Sequence, residues 1–310
     1  MKKFDGETLK NPLLFEESRP SLAILFMIAA MFLISLVDSF CKAFTDELHA
    51  VQLVWGYFVG IFAALCLYFV YRRLGFRALA HTNRMGLHWF RSGCLVGSIM
   101  SLFVGLTYMP IADATAIGFM APLFITILSI PLLNEKVGTH RWIAVVAGLI
   151  GVVIIIRPGG GIWHWSSIMP LIGAVFFAFY QITTRVITSN DRTQTILFHT
   201  GFGGVVWSSI IVLFFWNETR TEHWILFFGT GILGALAHLC MVSAFRWAQA
   251  SLIAPFNYTK LIFVGILGFI MFEEVPTLNT LIGSTLIVFA GLFVYYQESR
   301  TANTNNQTGE

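Results

Sequence analysis

The chain has 310 residues, 56% of them hydrophobic and 11% charged, with a formal net charge of +3 and a mean hydropathy of +0.75. A water-soluble domain carries about 25% charged residues, so the composition excludes a soluble enzyme and defines a polytopic membrane protein. The basic residues gather at the edges of apolar segments, so the small net charge points to no nucleic-acid or acidic partner.

Residues 1–20 are polar, contain Pro12 and Pro20, and read as a cytoplasmic N-terminal segment. No small-residue cleavage site follows the apolar run from Ser21, which is expected to stay as a first span. Crossing ~30 Å of hydrocarbon needs about 17 to 25 helical residues. Runs placed on that criterion extend from Ser21 to Cys41, Val51 to Tyr71, Leu87 to Tyr108, Ile111 to Leu133 and Trp142 to Ile156. A second set extends from Ser167 to Ile187, Thr195 to Phe215, Trp224 to Phe245, Leu252 to Phe272 and Leu278 to Tyr296. Continuous apolarity, rather than alternation, excludes a β-barrel.

The chain reads as one unit written twice. Glu135-Lys-Val-Gly-Thr139 recurs as Glu273-Glu-Val-Pro-Thr277, each time between two apolar runs, and Lys42-Ala-Phe-Thr45 aligns loosely with Arg185-Val-Ile-Thr188. Five spans per copy is an odd number, so the second copy lies upside down relative to the first, as in secondary transporters with a central site. The expected fold class is an all-α membrane protein with ten transmembrane helices in two inverted five-helix repeats, 21–156 and 167–296. An external linker, 157–166, joins the repeats, and a disordered cytoplasmic tail, 297–310, follows. The Arg157-Pro-Gly-Gly-Gly161 linker lacks the Lys-Ser/Thr of a phosphate loop. Of the 19 lysines and arginines, only Lys42, Arg157 and Arg220 fall on the outer side and Lys260 falls mid-span, which places both termini in the cytoplasm.

Glu135 and Glu273 are expected to complement the dipoles of the helices that follow them. Gly93, Gly97, Ser101 and Gly105 form a stripe of small residues suited to close helix packing, as do Gly56 with Gly60 and Gly265 with Gly268. Pro122 and Pro255 remove backbone donors at membrane depth, a break tolerated where protein or a water-filled cavity satisfies the freed carbonyl. Arg91 and Arg246, at cytoplasmic helix ends, are expected to snorkel. Trp163, Trp165, Trp216, Trp224 and Trp247 suit the membrane interface, while Phe176, Phe177, Phe179 and Tyr180 suit either lipid or a cavity wall. The four cysteines have no paired spacing, so neither a disulfide framework nor a zinc site is expected, and no other metal or cofactor motif appears.

Lys260 lies mid-membrane within Ala254-Pro-Phe-Asn-Tyr-Thr-Lys260, where a lipid-facing cation costs at least about 2.5 to 3.5 kcal/mol. It must face the interior, either as the partner of a carboxylate or as a site for an anionic substrate group. Asp38 either pairs with Lys42 one turn on or holds a proton or a substrate amine. The residues expected to face a cavity are Asp38, Tyr180, Gln181, His238, Asn257, Tyr258 and Lys260, with Tyr180 and Tyr258 stacking or hydrogen-bonding. His238 is either a hydrogen-bonded packing residue or a proton carrier.

Two doubled segments, Thr107–Thr115 through Asn134–Val137 and Arg246–Ser251 through Phe272–Val275, resemble the drug/metabolite transporter superfamily, specifically its EamA-like ten-span members. Ala254–Thr259, Val275-Pro-Thr277 and Gly291–Tyr296 are similar to segments of bacterial importers of S-adenosylmethionine and of riboflavin. The resemblance implies a cavity between the halves, a small-molecule substrate, the bacterial inner membrane and transport without ATP hydrolysis, with importers and exporters both known. The expected function is secondary transport of a small polar organic metabolite by alternating access, or export of amino acids or other metabolites. Readings of other classes are an intramembrane enzyme using Asp38 and Asp113, or a lipid-carrier flippase. The first lacks a Gly-x-Gly-Asp, His-Glu-x-x-His or Gly-x-Ser-x-Gly motif, and the second's relatives are four-span chains. Oligomeric state is not set by these patterns.

Overall fold

Backbone N–H and C=O groups find no water in lipid, and a helix satisfies them within a single segment. The computed structural model describes residues 20–73, 75–121, 123–125, 127–128, 139–156, 165–188, 191–247 and 254–308, and every regular element among them is helical. The first repeat contributes α1 (Pro20–Ala43), α2 (Ala50–Tyr71), α3 (Met85–Tyr108), α4 (Ile111–Gly118) and α5 (Thr139–Ile156), with a short helix, Phe76–Ala80, between α2 and α3. The second contributes α6 (Met169–Thr188), α7 (Thr193–Val212), α8 (Thr221–Trp247), α9 (Thr259–Phe272) and α10 (Leu278–Thr308). Helices α1, α2, α3, α7 and α8 are long and apolar enough to cross a membrane, and the remaining five spans contain shorter apolar helices. The chain is thus a multi-pass membrane protein.

Local chemistry sets the helix ends. At α2, the His49 ring accepts from the Val51 amide and the Gln52 side chain accepts from the His49 amide, each at 3.3 Å, a reciprocal cap for two orphan donors. At α9, Glu273 is left-handed (φ 55°), its amide reaching Phe269 O and the Glu274 amide reaching Gly268 O, both at 3.1 Å. That ending turns the Glu274 side chain back toward the bundle. The fourth span of each repeat is interrupted. α4 gives way to a turn at Phe119 and Met120, and α9 is preceded by a 3-10 turn, Ala254–Tyr258. α10 continues through the polar residues read as a disordered tail, because adding a residue to an existing helix needs no new nucleus.

The halves interlock rather than stand side by side. α1 packs on α8 and α9 while α6 packs on α3 and α4; α2 meets α7, α4 meets α9, and α5 meets α10. Shifting every helix by five returns the same set of pairs, as a two-fold relation between the repeats requires. Two crossings depend on paired glycines. A Cβ on Gly231 would fall 2.3 Å from Gly60 Cα where α8 crosses α2, and one on Gly151 would fall 2.7 Å from Gly283 O where α5 crosses α10. In lipid no hydrophobic effect pulls helices together, so such close approach supplies the packing.

The α3 stripe is filled by the second repeat, with Trp207 against Gly93, Phe176 against Gly97 and Pro170 against Gly105. Gly265 departs from expectation: no neighbouring atom lies within 4 Å of a Cβ built there, because it lines a small pocket with Pro110, Asp113 and Thr277 instead of a helix crossing. Leu67, Ile143, Ile225 and Ile270 point outward, as lipid contact demands, and Trp165 and Trp216 are exposed. Pro122, Glu135, Lys136, Arg157 and Trp163 lie outside the described residues, as do the side chains of Arg185, Arg246 and Pro255.

Candidate functional site

The two repeats are joined in the interior of the bundle by an ion pair. Lys260, the second residue of α9, places Nζ 2.6 Å from Oδ2 of Asp38 on α1, with side chains 14% and 6% exposed. The 3-10 turn Ala254–Tyr258 runs directly into α9, which begins at Thr259, one residue before Lys260. Of the partners open to Asp38, the structure selects Lys260 and not Lys42. Lys42 instead lies 2.6 Å from Glu274, donates to Met109 O at 2.9 Å, and sits 5.4 Å from the centre of the Phe272 ring.

Glu274 accepts from the Ile111 amide at 3.0 Å through its other oxygen, so it complements the N-terminal dipole of α4. This corrects the expectation for Glu273. The acid that caps a helix is its neighbour, and the capped helix belongs to the other repeat, because the left-handed Glu273 closes α9 and redirects the chain.

Further along the interface, the Tyr57 hydroxyl of α2 lies 3.4 Å from Nε2 of His238 on α8, and both side chains are buried. Tyr57 is within electrostatic range of Asp38 and Tyr180, and His238 is within range of Arg91. Arg91 does not snorkel. It is 1% exposed, donating from Nε to Thr184 at 2.7 Å, from one terminal nitrogen to Thr200 at 2.9 Å and from the other to the Tyr180 hydroxyl at 3.2 Å. Its guanidinium also lies 4.7 Å from the Tyr180 ring centre. Both threonines donate their own protons to the preceding helical turn, Thr184 to Tyr180 O and Thr200 to Ile196 O, which leaves lone pairs for Arg91.

Beyond Arg91, toward the N-terminal end of α3, His88 Nε2 lies 2.8 Å from Asp191, which also accepts from Thr82 at 2.9 Å. The His88 and His199 rings are 4.5 Å apart, and His199 Nε2 lies 3.2 Å from Ala80 O. Polar groups from both repeats therefore follow one another from Lys42 and Glu274, through Asp38 and Lys260, to Arg91 and Asp191.

The expected residues divide accordingly. Asp38 and Lys260 are brought together; His238 joins Tyr57, and Tyr180 joins Arg91. Gln181 is half-buried beside Tyr180 and makes no hydrogen bond among the described residues. Asn257 is half-buried in the 3-10 turn before Lys260. Tyr258 packs edge-on to Phe119 of the α4 turn at 5.1 Å and fits against Gly291 of α10. Asp113, buried, accepts from Thr280, while Asp38 meets Lys260. On the outer rim of α2 and α8, Glu47, Glu222 and His223 bring ligand-type atoms within 4.8 Å of one another, and Arg220 already pairs with both acids.

Tyr57, Thr184, Thr200 and Glu274 are not singled out by the sequence, and Arg91 is read from it as a snorkelling residue, whereas it is 1% exposed. The available signal was helical spacing: Tyr180 and Thr184 share one face of α6, and His199 and Thr200 lie opposite on α7, but nothing along the chain shows which arginine they meet.

The EamA-like transporter family matches residues 21–157 and again 164–296, and the chain belongs to this family. It is a small-molecule transporter and not an enzyme. Among its relatives is an S-adenosylmethionine uptake transporter of Rickettsia prowazekii (strain Madrid E), 27% identical over 89% of this chain and 95% of that protein. A riboflavin transporter of Vibrio cholerae is 30% identical over 74% of this chain and 78% of its own length. A pseudopaline exporter of Pseudomonas aeruginosa is 23% identical over 86% and 93%. One crystal structure shares the fold with a TM-score of 0.63 at 19% identity, over 91% of this chain and 99% of that one.

Proposed function

We propose that the protein is a secondary transporter that moves a small polar organic metabolite across the bacterial cytoplasmic membrane by alternating access, with both termini in the cytoplasm. The substrate is of the size and polarity of S-adenosylmethionine or riboflavin, the solutes named for its relatives. The residues assigned to it are Asp38, Tyr180, Gln181, His238, Asn257, Tyr258 and Lys260.

The observation that carries this reading is the Asp38–Lys260 pair, which spans the two repeats where they must separate and rejoin. Within the pair each charge satisfies the other. A solute that carries an anionic or cationic group competes for one member, loosens the link between α1 and α9, and so couples occupancy to the relative position of the halves. The interrupted fourth spans lie beside this pair, and broken helices at the repeat interface are where transporters of inverted-repeat design hold their solutes. The excess of lysine and arginine at the ends assigned to the cytoplasm supports the orientation.

The test is uptake into inside-defined vesicles by Lys260→Met protein. A fall of at least about tenfold, roughly 1.4 kcal/mol, is expected in uptake or binding of a solute found by thermal-shift screening. Unchanged uptake together with unchanged binding would refute the assigned role. The exporter among the relatives favours efflux as the second reading, and counterflow from preloaded vesicles decides the direction.

A further inference from the structure

We propose that Arg91 is a second charge-recognition point, one that binds an oxyanion of the transported solute, a carboxylate or a phosphate. This rests on the transporter reading but on a different residue from the one that carries it.

Arg91 is 1% exposed, yet its acceptors are three neutral hydroxyls, those of Thr184, Thr200 and Tyr180. No carboxylate lies at ion-pair distance from it among the described residues. The acid placed nearest along this run of polar groups, Asp191, is already held by His88 and Thr82. A buried cation without a counter-ion is strongly disfavoured. The same molecule avoids that situation at Lys260 by supplying Asp38.

The geometry of the guanidinium makes the gap specific. It has five N–H donors in a planar fork, three of which are used, one on each nitrogen. One N–H remains on each of the two terminal nitrogens, and carboxylates and phosphates take guanidinium donors in pairs. The cradle is already oriented. Thr184 and Thr200 are fixed by their own bonds to the helix backbone, and the Tyr180 ring lies against the guanidinium face, so binding an oxyanion requires little reordering. Because Arg91 is on α3 and its holders are on α6 and α7, an anion bound here also touches both repeats. Among solutes of the relatives' kind, S-adenosylmethionine carries a carboxylate, whereas riboflavin has no anionic group until it is phosphorylated.

The experiment follows thermal unfolding of the purified full-length protein as sodium acetate or inorganic phosphate replaces sodium chloride at constant ionic strength. A saturable rise in the unfolding temperature is expected with at least one oxyanion. The half-saturating concentration should rise at least about tenfold in Arg91→Lys, which keeps the charge but loses the fork, and the effect should vanish in Arg91→Gln. Equal curves for all three anions, or an oxyanion effect whose half-saturating concentration is unchanged in the lysine variant, would overturn the proposal even where the glutamine variant does not fold.

Two solute pairs then assign the oxyanion. Stronger binding of S-adenosylmethionine than of its decarboxylated form identifies a carboxylate site, and stronger binding of riboflavin 5′-phosphate than of riboflavin identifies a phosphate site. Lys260→Met transport and Arg91 anion binding are read separately, so either can fail alone.

Discussion

Lys260 and Arg91 lie between the same pair of repeats and are accommodated in opposite ways. Lys260 meets a carboxylate, Asp38, at 2.6 Å, while Arg91, among the described residues, meets hydroxyls and an aromatic face. The chemistry of the groups explains the difference in part. An ammonium is a compact, strongly hydrated charge that does poorly without an anion, whereas a guanidinium spreads its charge over a plane and tolerates several neutral acceptors. The contrast also has a functional side. A compensated pair must be broken for a solute to use it, and an uncompensated charge is ready to receive one.

The largest effect is expected from removing compensation where it exists. Asp38→Asn leaves the Lys260 ammonium buried without its anion and should destabilise the protein by about 3 to 5 kcal/mol, while Asp38→Asn combined with Lys260→Met should recover much of that loss. Urea unfolding of both variants in detergent measures it, and equal stability of the single and double variants would erase the distinction drawn between the two sites.

A smaller effect is expected at Arg91. Thr200→Val removes one neutral acceptor from a charged donor and should destabilise by about 1.5 to 3 kcal/mol, with a smaller penalty in the presence of a bound oxyanion that supplies the missing acceptor. The same unfolding assay with and without phosphate sharpens the comparison.

The smallest effect belongs to the rim. Glu274→Gln keeps an acceptor for the Ile111 amide but removes the charge opposite Lys42, which is partly screened by solvent. A loss of about 1 kcal/mol or less, fading as salt is raised, is expected. A loss as large as that of Asp38→Asn would show that the rim carries as much of the link between repeats as the centre does.

Much of the fold could be read along the chain because lipid imposes a one-dimensional code. The apolar runs, the doubled Glu135 and Glu273 segments and the skewed placement of lysine and arginine each follow from local composition. The small-residue stripe of α3 was legible for the same reason, since close packing needs small side chains wherever the partner comes from. Gly265 shows the limit: glycines one helical turn apart mark a crossing at Gly60 and a pocket wall at Gly265, and only the neighbouring helix distinguishes them.

The site was legible by type of residue and not by pairing. A lysine and an aspartate inside apolar runs declare themselves by their cost in lipid, so Asp38 and Lys260 were recognisable as interior residues before their separation was known. Arg91 was not, because a position near a helix end suits an arginine that reaches for water equally well.

The sequence alone determined that this is a ten-span, internally doubled membrane protein with polar groups that lipid would reject, because a helix in a bilayer must satisfy its backbone within each segment and place its side chains by hydropathy. Only the tertiary structure decided that Lys260 takes Asp38 while Lys42 takes Glu274, and that Arg91 turns inward to hydroxyls of the other repeat. Those choices depend on which helices cross and at what depth, and interdigitation of the halves brings together residues far apart in the chain.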